Sequence, residues 1–521
     1  MRQSAAVFIA VVVALSCAPQ ARTRAPRELW LYQGANLADS GSAARVESVW
    51  RRAAAAGYTK VVLVDPKFAR LAEQDPPYFA RVNRLRVLAA ELNLEIVPGV
   101  CIVGRGNGAM LAMDPNLAES LPVRDAAFEV RGGIARIVAS PPVTLAARPD
   151  RIDPGVKLSR GDAVIPSDSR SRLAFEVDVA PFRCYHVSVR LRGEGFRGEP
   201  RVRVTGGGRE LAFASIAAPA GSKEEARDAV FNSLDNRHVT VSFSVARGGS
   251  GTLHWSGWRM DEAGPVNLVR RPGMAFSFDG LTEGRDFDPV QDPLLGNVPW
   301  KGQFDVWHEP PAIHVRRPDG TKLRASWYHA AVLFRGQVAC CLSDSAVLAR
   351  LHDEVARVRE LFVARTVFLM HDEIRAIGWD APCKAGGRSA GAILAANVRA
   401  CRAFAGDAAV CVWNDMFDPN HNAVSGYYLA RGDLAGSWEG LDRDVVVINW
   451  NPDRLDASLK FFAGRGHRQV YAGYYDGDVE EIRNALPRLD AVEGVTSVMY
   501  TTWRDRYDDL ERFAAICRGE R

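Results

Sequence analysis

A (β/α)8 TIM barrel, interrupted after its third strand by an all-β, jelly-roll-like sandwich, is the α/β fold that this 521-residue sequence predicts. Short apolar runs alternate with 3.6-period helices at both ends of the chain. Between them lies a helix-free stretch of period-two alternation. The strands outside that stretch number eight, which is the barrel count.

The first alternating part is "ELWLYQG" (28–34), a helix over 42–58, "KVVLVD" (60–65), a helix over 78–93 and "EIVPGV" (95–100). Residues 27–120 are therefore assigned to barrel strands one to three. From 140 to 262, runs such as "RLAFEVDV", "YHVSVRLRG" and "HVTVSFSVA" alternate between Gly-, Ser- and Pro-rich turns, the pattern of an antiparallel sandwich. Trp255, Trp258, Tyr185 and Phe231 sit in or beside those runs and are expected in its core rather than as sugar platforms. Residues 263–325, rich in Pro, Gly and Asp, read as an irregular connector. Residues 326–521 then supply barrel strands four to eight: "TVFLMHDE", "AVCVWNDM", "DVVVINWN", "QVYAGYYD" and "VTSVMYTTW". A doubly wound open sheet is the alternative, but no Gly-x-Gly-x-x-Gly follows a strand.

Apolar residues make up 47% and charged residues 25%, ordinary values for a globular protein. A net charge of +4 without a long basic run gives no support to nucleic-acid binding. Residues 1–21, "MRQSAAVFIAVVVALSCAPQA", combine an early Arg, an apolar stretch and small residues, which reads as an export signal. Cys17 follows Ala-Leu-Ser, so a lipid on Cys17 is the alternative to plain secretion. The expected location is periplasmic, secreted or on the outer surface as a lipoprotein. The remaining eight cysteines have no Cys-x-x-Cys spacing, so neither a metal site nor a cofactor is expected.

Chemistry in such barrels gathers at the C-terminal ends of the strands. Strand four ends in His371, Asp372 and Glu373. Strand five ends in Trp413 and Asp415, and strand six in Trp450. Strand seven ends in Tyr474, Tyr475 and Asp476, and strand eight in Trp503 and Asp505. Aromatic faces stack on sugar rings, and paired carboxylates are the equipment for cleaving a glycosidic bond. Any single strand-end carboxylate more often caps the next helix; it is their recurrence with aromatics on five strands that points to a carbohydrate.

The Asp-Glu pair ending strand four, with Trp-rich ends on later strands, resembles family 20 glycoside hydrolases, the β-N-acetylhexosaminidases. The resemblance implies a (β/α)8 barrel, Glu373 as general acid and Asp372 as the residue orienting a 2-acetamido group. It also implies Trp413, Trp450, Tyr474 or Tyr475, and Trp503 as pocket lining. The sequence departs from that family in having His371 where Gly is usual. It is also similar to uncharacterised exported bacterial proteins that carry the same His-Asp-Glu-Ile-Arg and Trp-Asn-Asp-Met-Phe-Asp-Pro segments, which implies no function. An exported glycoside hydrolase acting on a β-linked sugar, N-acetylated or not, is the leading expectation. A non-catalytic carbohydrate-binding surface protein on a degenerate barrel is its rival. For both carboxylates to reach one pocket, strand four must end or bulge at Asp372, because adjacent strand residues point to opposite faces.

Overall fold

The computed structural model describes residues 27–520 except 140–142, 144, 147, 160, 296, 297, 299 and 301. The export signal and Cys17 lie outside the described residues. Among those residues, no helix is long and apolar enough to cross a membrane.

Eight strands close into a barrel in which every pairing is parallel. They are β1 (Glu28–Gly34), β2 (Lys60–Val64), β3 (Glu95–Val100) and β4 (Thr366–Leu369). The circle continues through β5 (Ala409–Trp413), β6 (Val446–Asn449), β7 (Gln469–Ala472) and β8 (Val495–Tyr500). Helices α1 (Ser40–Ala55) and α2 (Pro76–Glu91) follow the first two strands, and α3 (Ser345–Phe362) leads into β4. The other α-helices of eight or more residues are α4 (Ala390–Phe404), α5 (Leu455–Gly464), α6 (Ile482–Asp490) and α7 (Leu510–Cys517). A regular (β/α)8 repeat would place a helix after each strand. Between β5 and β6 the described backbone forms only the 3-10 turns Asp415–Phe417 and Ser437–Gly440 and the two-residue strand Leu429–Ala430.

The pleat sorts side chains into two layers. Trp30, Tyr32, Val62, Phe368, Trp413 and Ile448 are among the residues that fill the barrel interior. Their neighbours Leu31, Leu63, Val367, Leu369 and Val412 face outward into the helix layer. Capping is carried by aspartates at the chain reversals. Asp39 accepts from the Ser42 N–H, and Asp344 from the Ala346 N–H. Asp65, at the end of β2, accepts from the N–H groups of Leu37 and Lys67, a structural use of a strand-end carboxylate.

The insertion between β3 and α3 holds three five-stranded antiparallel sheets. Two of them, drawn from Arg151–Ile152 to Ser250–Glu262, form a sandwich. Phe243 on one sheet meets Trp255 on the other, and Phe175 meets Trp258. Tyr185 stacks on Phe231 at 5.3 Å, so the sandwich aromatics are core residues.

The third sheet departs from the sequence expectation. Its strands are Ser277–Phe278, Lys322–Ala330, Ser120–Arg131, Ile134–Ile137 and Ile313–His314, in that order. The stretch 263–325, expected to be irregular, thus supplies strands and a core of its own. Phe276, Phe278, Phe287 and Trp327 pack there with Phe128. The barrel resumes only at α3, not at residue 326. The two ends of the insertion lie side by side, with Glu119 N–H donating to Ala339 O and Cys341 N–H to Leu117 O.

Candidate functional site

Alternation along β4 decides where its polar end points. Phe368 and Met370 are in the barrel interior, and just past the strand's end Asp372 keeps to that side, where it acts on Tyr32, while His371 turns outward. His371 is buried behind the barrel wall, its Nε2 2.9 Å from Asn397 Oδ1 on α4. The amide of Asn397 is spent on Leu342 O, so Asn397 Oδ1 accepts and His371 Nε2 donates. The histidine that stands where the resemblance expects Gly therefore lines no pocket.

The close backbone approach is made by Gly104, in the loop after β3. A Cβ there would collide with the Asp372 carbonyl oxygen. The next residue, Arg105, donates its N–H to that same carbonyl at 3.3 Å.

At Glu373 the strand has ended. Its φ of 47° is left-handed, which breaks the alternation and lets the side chain leave the outer face. Its N–H donates to Asp415 Oδ2 at 2.9 Å. Its carboxylate meets Arg375 at 2.9 Å and Arg105 at 3.4 Å. Arg375 is itself buried, lies over the rings of Phe334 and Tyr428, and bonds Gln337 Oε1.

Asp372 and Asp415 are a different kind of pair. Asp415 Oδ2 is occupied by the Glu373 N–H and by Asn422 Nδ2. Asp415 Oδ1 and Asp372 Oδ1 are buried and accept no hydrogen bond from the described residues. Burial pushes the Asp372 carboxyl well above the usual carboxylate range, and the charges of Asp415 and Glu373 push it the same way. Burial also raises Asp415, opposed by His421 and by the Glu373 N–H.

A cluster of aromatic rings lies on the Asp372 side. Tyr32, Trp413 and Trp503 form a triangle with centroids 5.9, 5.2 and 6.1 Å apart. Asp372 and Asp505 both act on Tyr32, whose hydroxyl is raised first of all by burial. Trp503 is 45% exposed, whereas Trp413 is 1% exposed. Trp450 packs against the barrel interior and meets His421 edge-on at 4.6 Å. Beside Arg105 opens a cleft of about 410 Å3 lined by Asn107, Leu111, Trp300, Phe304 and Gln337.

Of the residues singled out from sequence, Asp372, Glu373, Trp413, Asp415, Trp450 and Trp503 converge on this end of the barrel, with exposed Asp505 near Tyr32. Tyr474 is exposed at the end of β7. Tyr475 lies elsewhere, buried against Tyr500 and Phe513 in the helix layer. Asp476 is a brace: it accepts from the Trp503 N–H at 2.7 Å and from Thr502 Oγ1. Sequence reasoning missed Tyr32, Arg105, Arg375 and Asn422, and weighed His421 only as a weak metal partner of Asp415 and His371. Tyr32 had a usable signal, since it shares the inner face of β1 with Trp30; the arginines had none.

A second polar cluster lies outside the mouth. Glu119, Cys341, Asp380 and Cys383 are all buried, and one ligand atom from each lies within 4.8 Å of the others. Only Asp380-x-x-Cys383 is local in sequence, so the cluster was illegible from spacing.

No family model matches the sequence, and no curated protein matches it. Solved structures similar to part of the chain include one described as "CBM4 structure and function", at 10% identity over 22% of this chain and 77% of that one, with a TM-score of 0.18. Another is the carbohydrate-binding module CBM6cm-2 from Cellvibrio mixtus lichenase 5A in complex with cellotriose, at 11% identity, 23% and 97% coverage and a TM-score of 0.19. A third is the CBM22-1 xylan-binding domain from Paenibacillus barcinonensis Xyn10C, at 7% identity, 22% and 84% coverage and a TM-score of 0.17. Likenesses this partial and this low in score say nothing about what this chain binds.

Proposed function

We propose that the barrel mouth binds a saccharide and cleaves a glycosidic bond, with Asp372 rather than Glu373 as the proton donor. The observation that carries this reading is the pair of buried, unpartnered oxygens, Asp372 Oδ1 and Asp415 Oδ1, with Asp372 close enough to act on Tyr32 of the aromatic triangle. A glycosidase needs one carboxyl that stays protonated and one charged partner. Asp372 is the more strongly perturbed of the two and takes the acid role. Asp415, oriented by Asn422 and the Glu373 N–H, is the charged partner that activates water or steadies developing positive charge at the sugar. Glu373 is spent on Arg375 and Arg105 and acts as a positioning residue that ties the loops after β3 and β4 together. An N-acetylated sugar, as the family 20 resemblance implies, is the first substrate class to try.

The test is a panel of chromogenic glycosides with wild type, Asp372→Asn and Glu373→Gln. Asp372→Asn should lower kcat by at least about 100-fold, the scale of a lost general acid, while Glu373→Gln keeps measurable turnover. The reverse ranking would restore Glu373 as the acid. If wild type turns over nothing but binds oligosaccharides in calorimetry, the second reading holds: a saccharide-binding barrel without catalysis. The observation favouring that reading is the commitment of Glu373 to two guanidinium groups.

A further inference from the structure

We propose that Glu119, Cys341, Asp380 and Cys383 form a structural zinc site that staples the base of the insertion to the loop following the Asp372 strand. All four residues are buried, and each offers one ligand atom to a common centre. Two edges of the cluster have the lengths a tetrahedral ion needs. Zn–S bonds of about 2.3 Å require an S···S edge of about 3.8 Å, and Zn–O bonds of about 2.0 Å an S···O edge of about 3.5 Å. Cys341 Sγ and Cys383 Sγ are 3.7 Å apart, and Cys383 Sγ is 3.3 Å from Glu119 Oε2. Burying two thiols and two carboxylates together costs solvation that a shared cation would offset.

The surrounding groups behave as the orienting partners that metal ligands usually have. Glu119 Oε1 accepts from the Trp379 and Asp380 N–H groups, which leaves Oε2 facing the centre. Asp380 Oδ1 accepts from the Cys383 N–H, and its other oxygen pairs with the buried Arg271 guanidinium. Two thiolates and two carboxylates carry four negative charges. A divalent ion cancels two of them, and Arg271 and Lys384 act on the cluster as the remaining positive charges. With all four positions supplied by the protein, no open position remains for substrate, which marks the site as structural.

Its place in the fold explains what it would do. Glu119 and Cys341 stand where the two ends of the insertion lie side by side. Asp380 and Cys383 belong to the turn that begins eight residues after Asp372. One ion would join three segments that are otherwise far apart in sequence, and so hold the sheets of the insertion in register with the mouth. Binding displaces the two thiol protons and the proton that burial holds on the Glu119 carboxyl, and leaves oxidation states unchanged.

Zinc would be counted by elemental analysis in the full chain purified under reducing conditions. About one zinc per chain is expected, falling well below stoichiometry in Cys383→Ser and Glu119→Gln but unchanged in Cys517→Ser. Should the variants fail to fold, the wild type still decides: reloading with Co2+ should give thiolate-to-cobalt charge-transfer and visible tetrahedral bands, and chelation should lower the melting temperature. The proposal fails if the reduced wild type neither contains zinc nor shows those bands after incubation with Co2+. It also fails if Cys383→Ser keeps its zinc, or if mass spectrometry finds Cys341 and Cys383 joined as a disulfide in the freshly isolated protein.

Discussion

The backbone N–H of Glu373 donates to Asp415 Oδ2 across 2.9 Å, so the loop that follows β4 is held by the residue that opens the turn after β5. A left-handed backbone at a non-glycine residue costs about 1–2 kcal/mol, and this bond helps to offset it. Asp415→Ala removes the acceptor for both the Glu373 N–H and Asn422 Nδ2. It should destabilise the fold by about 1–3 kcal/mol, the penalty for stranding buried donors. Asp415→Asn retains one acceptor oxygen and should lose less. Denaturant midpoints of the two variants check the ranking; equal losses would mean the contact contributes little.

Gly104 tests how tightly the mouth is built. Because a Cβ at 104 would meet the Asp372 carbonyl backbone rather than a yielding side chain, Gly104→Ala must move either the loop after β3 or the end of β4. The expected cost is about 1–3 kcal/mol of overpacking, accompanied by weaker oligosaccharide binding as Asp372 shifts. Gly106→Ala is the contrast for space, since only the Ile102 side chain lies near it, although its φ of 85° adds backbone strain. A melting temperature unchanged in Gly104→Ala would show that the approach is looser than the geometry implies.

The barrel strands were legible because a parallel strand buried on both faces must be a nearly continuous apolar run, and eight such runs stand out. The third antiparallel sheet was not. Two of its strands, Ser277–Phe278 and Ile313–His314, are too short to show any period, and its core borrows Phe276 and Phe287 from outside the strands. Within the site, the inner face of β4 is legible as far as Met370; beyond it, His371 faces outward and Asp372 inward by their contacts with Asn397 and Tyr32. The capture of Glu373 by Arg105 crosses 268 positions of sequence, and nothing local to either residue announces it. Tyr475 and Asp476 misled for a related reason: β7 ends at Ala472, and past a strand's end the period-two rule no longer says which way a side chain faces.

Glu354 on α3 supplies a pH prediction independent of the mouth. It is fully buried, its Oε2 accepts from the Cys101 N–H, and burial raises its carboxyl to about 8. In the unfolded chain the same group titrates near about 4.3. Between those values the folded state holds the proton and the unfolded state has released it. Its contribution to stability is therefore full below about pH 4 and is lost as pH rises toward 8. Glu354→Gln keeps an acceptor for Cys101 and removes the titration. The variant should gain stability over wild type as pH rises from 5 to 8, measured by urea unfolding across that range. A difference that is flat with pH would place the Glu354 carboxyl in its charged form throughout.

Trp503 is the residue whose replacement separates binding from folding. Its ring is 45% exposed and touches Tyr32 and Trp413 from the solvent side, while its backbone is held by Asp476. Truncation removes a stacking face but leaves the brace, because the Trp503 N–H and Thr502 Oγ1 still reach Asp476. Aromatic contacts of this kind contribute about 0.5–1.5 kcal/mol beyond burial, so Trp503→Ala should weaken oligosaccharide binding by up to about tenfold with little change in melting temperature. Trp413→Ala empties a fully buried position and should instead cost about 3–5 kcal/mol of stability. Calorimetric titration beside thermal unfolding of both variants distinguishes the two. Unaltered binding in folded Trp503→Ala would remove the exposed edge of the triangle from the saccharide site and confine any ligand to the carboxylate side of the mouth.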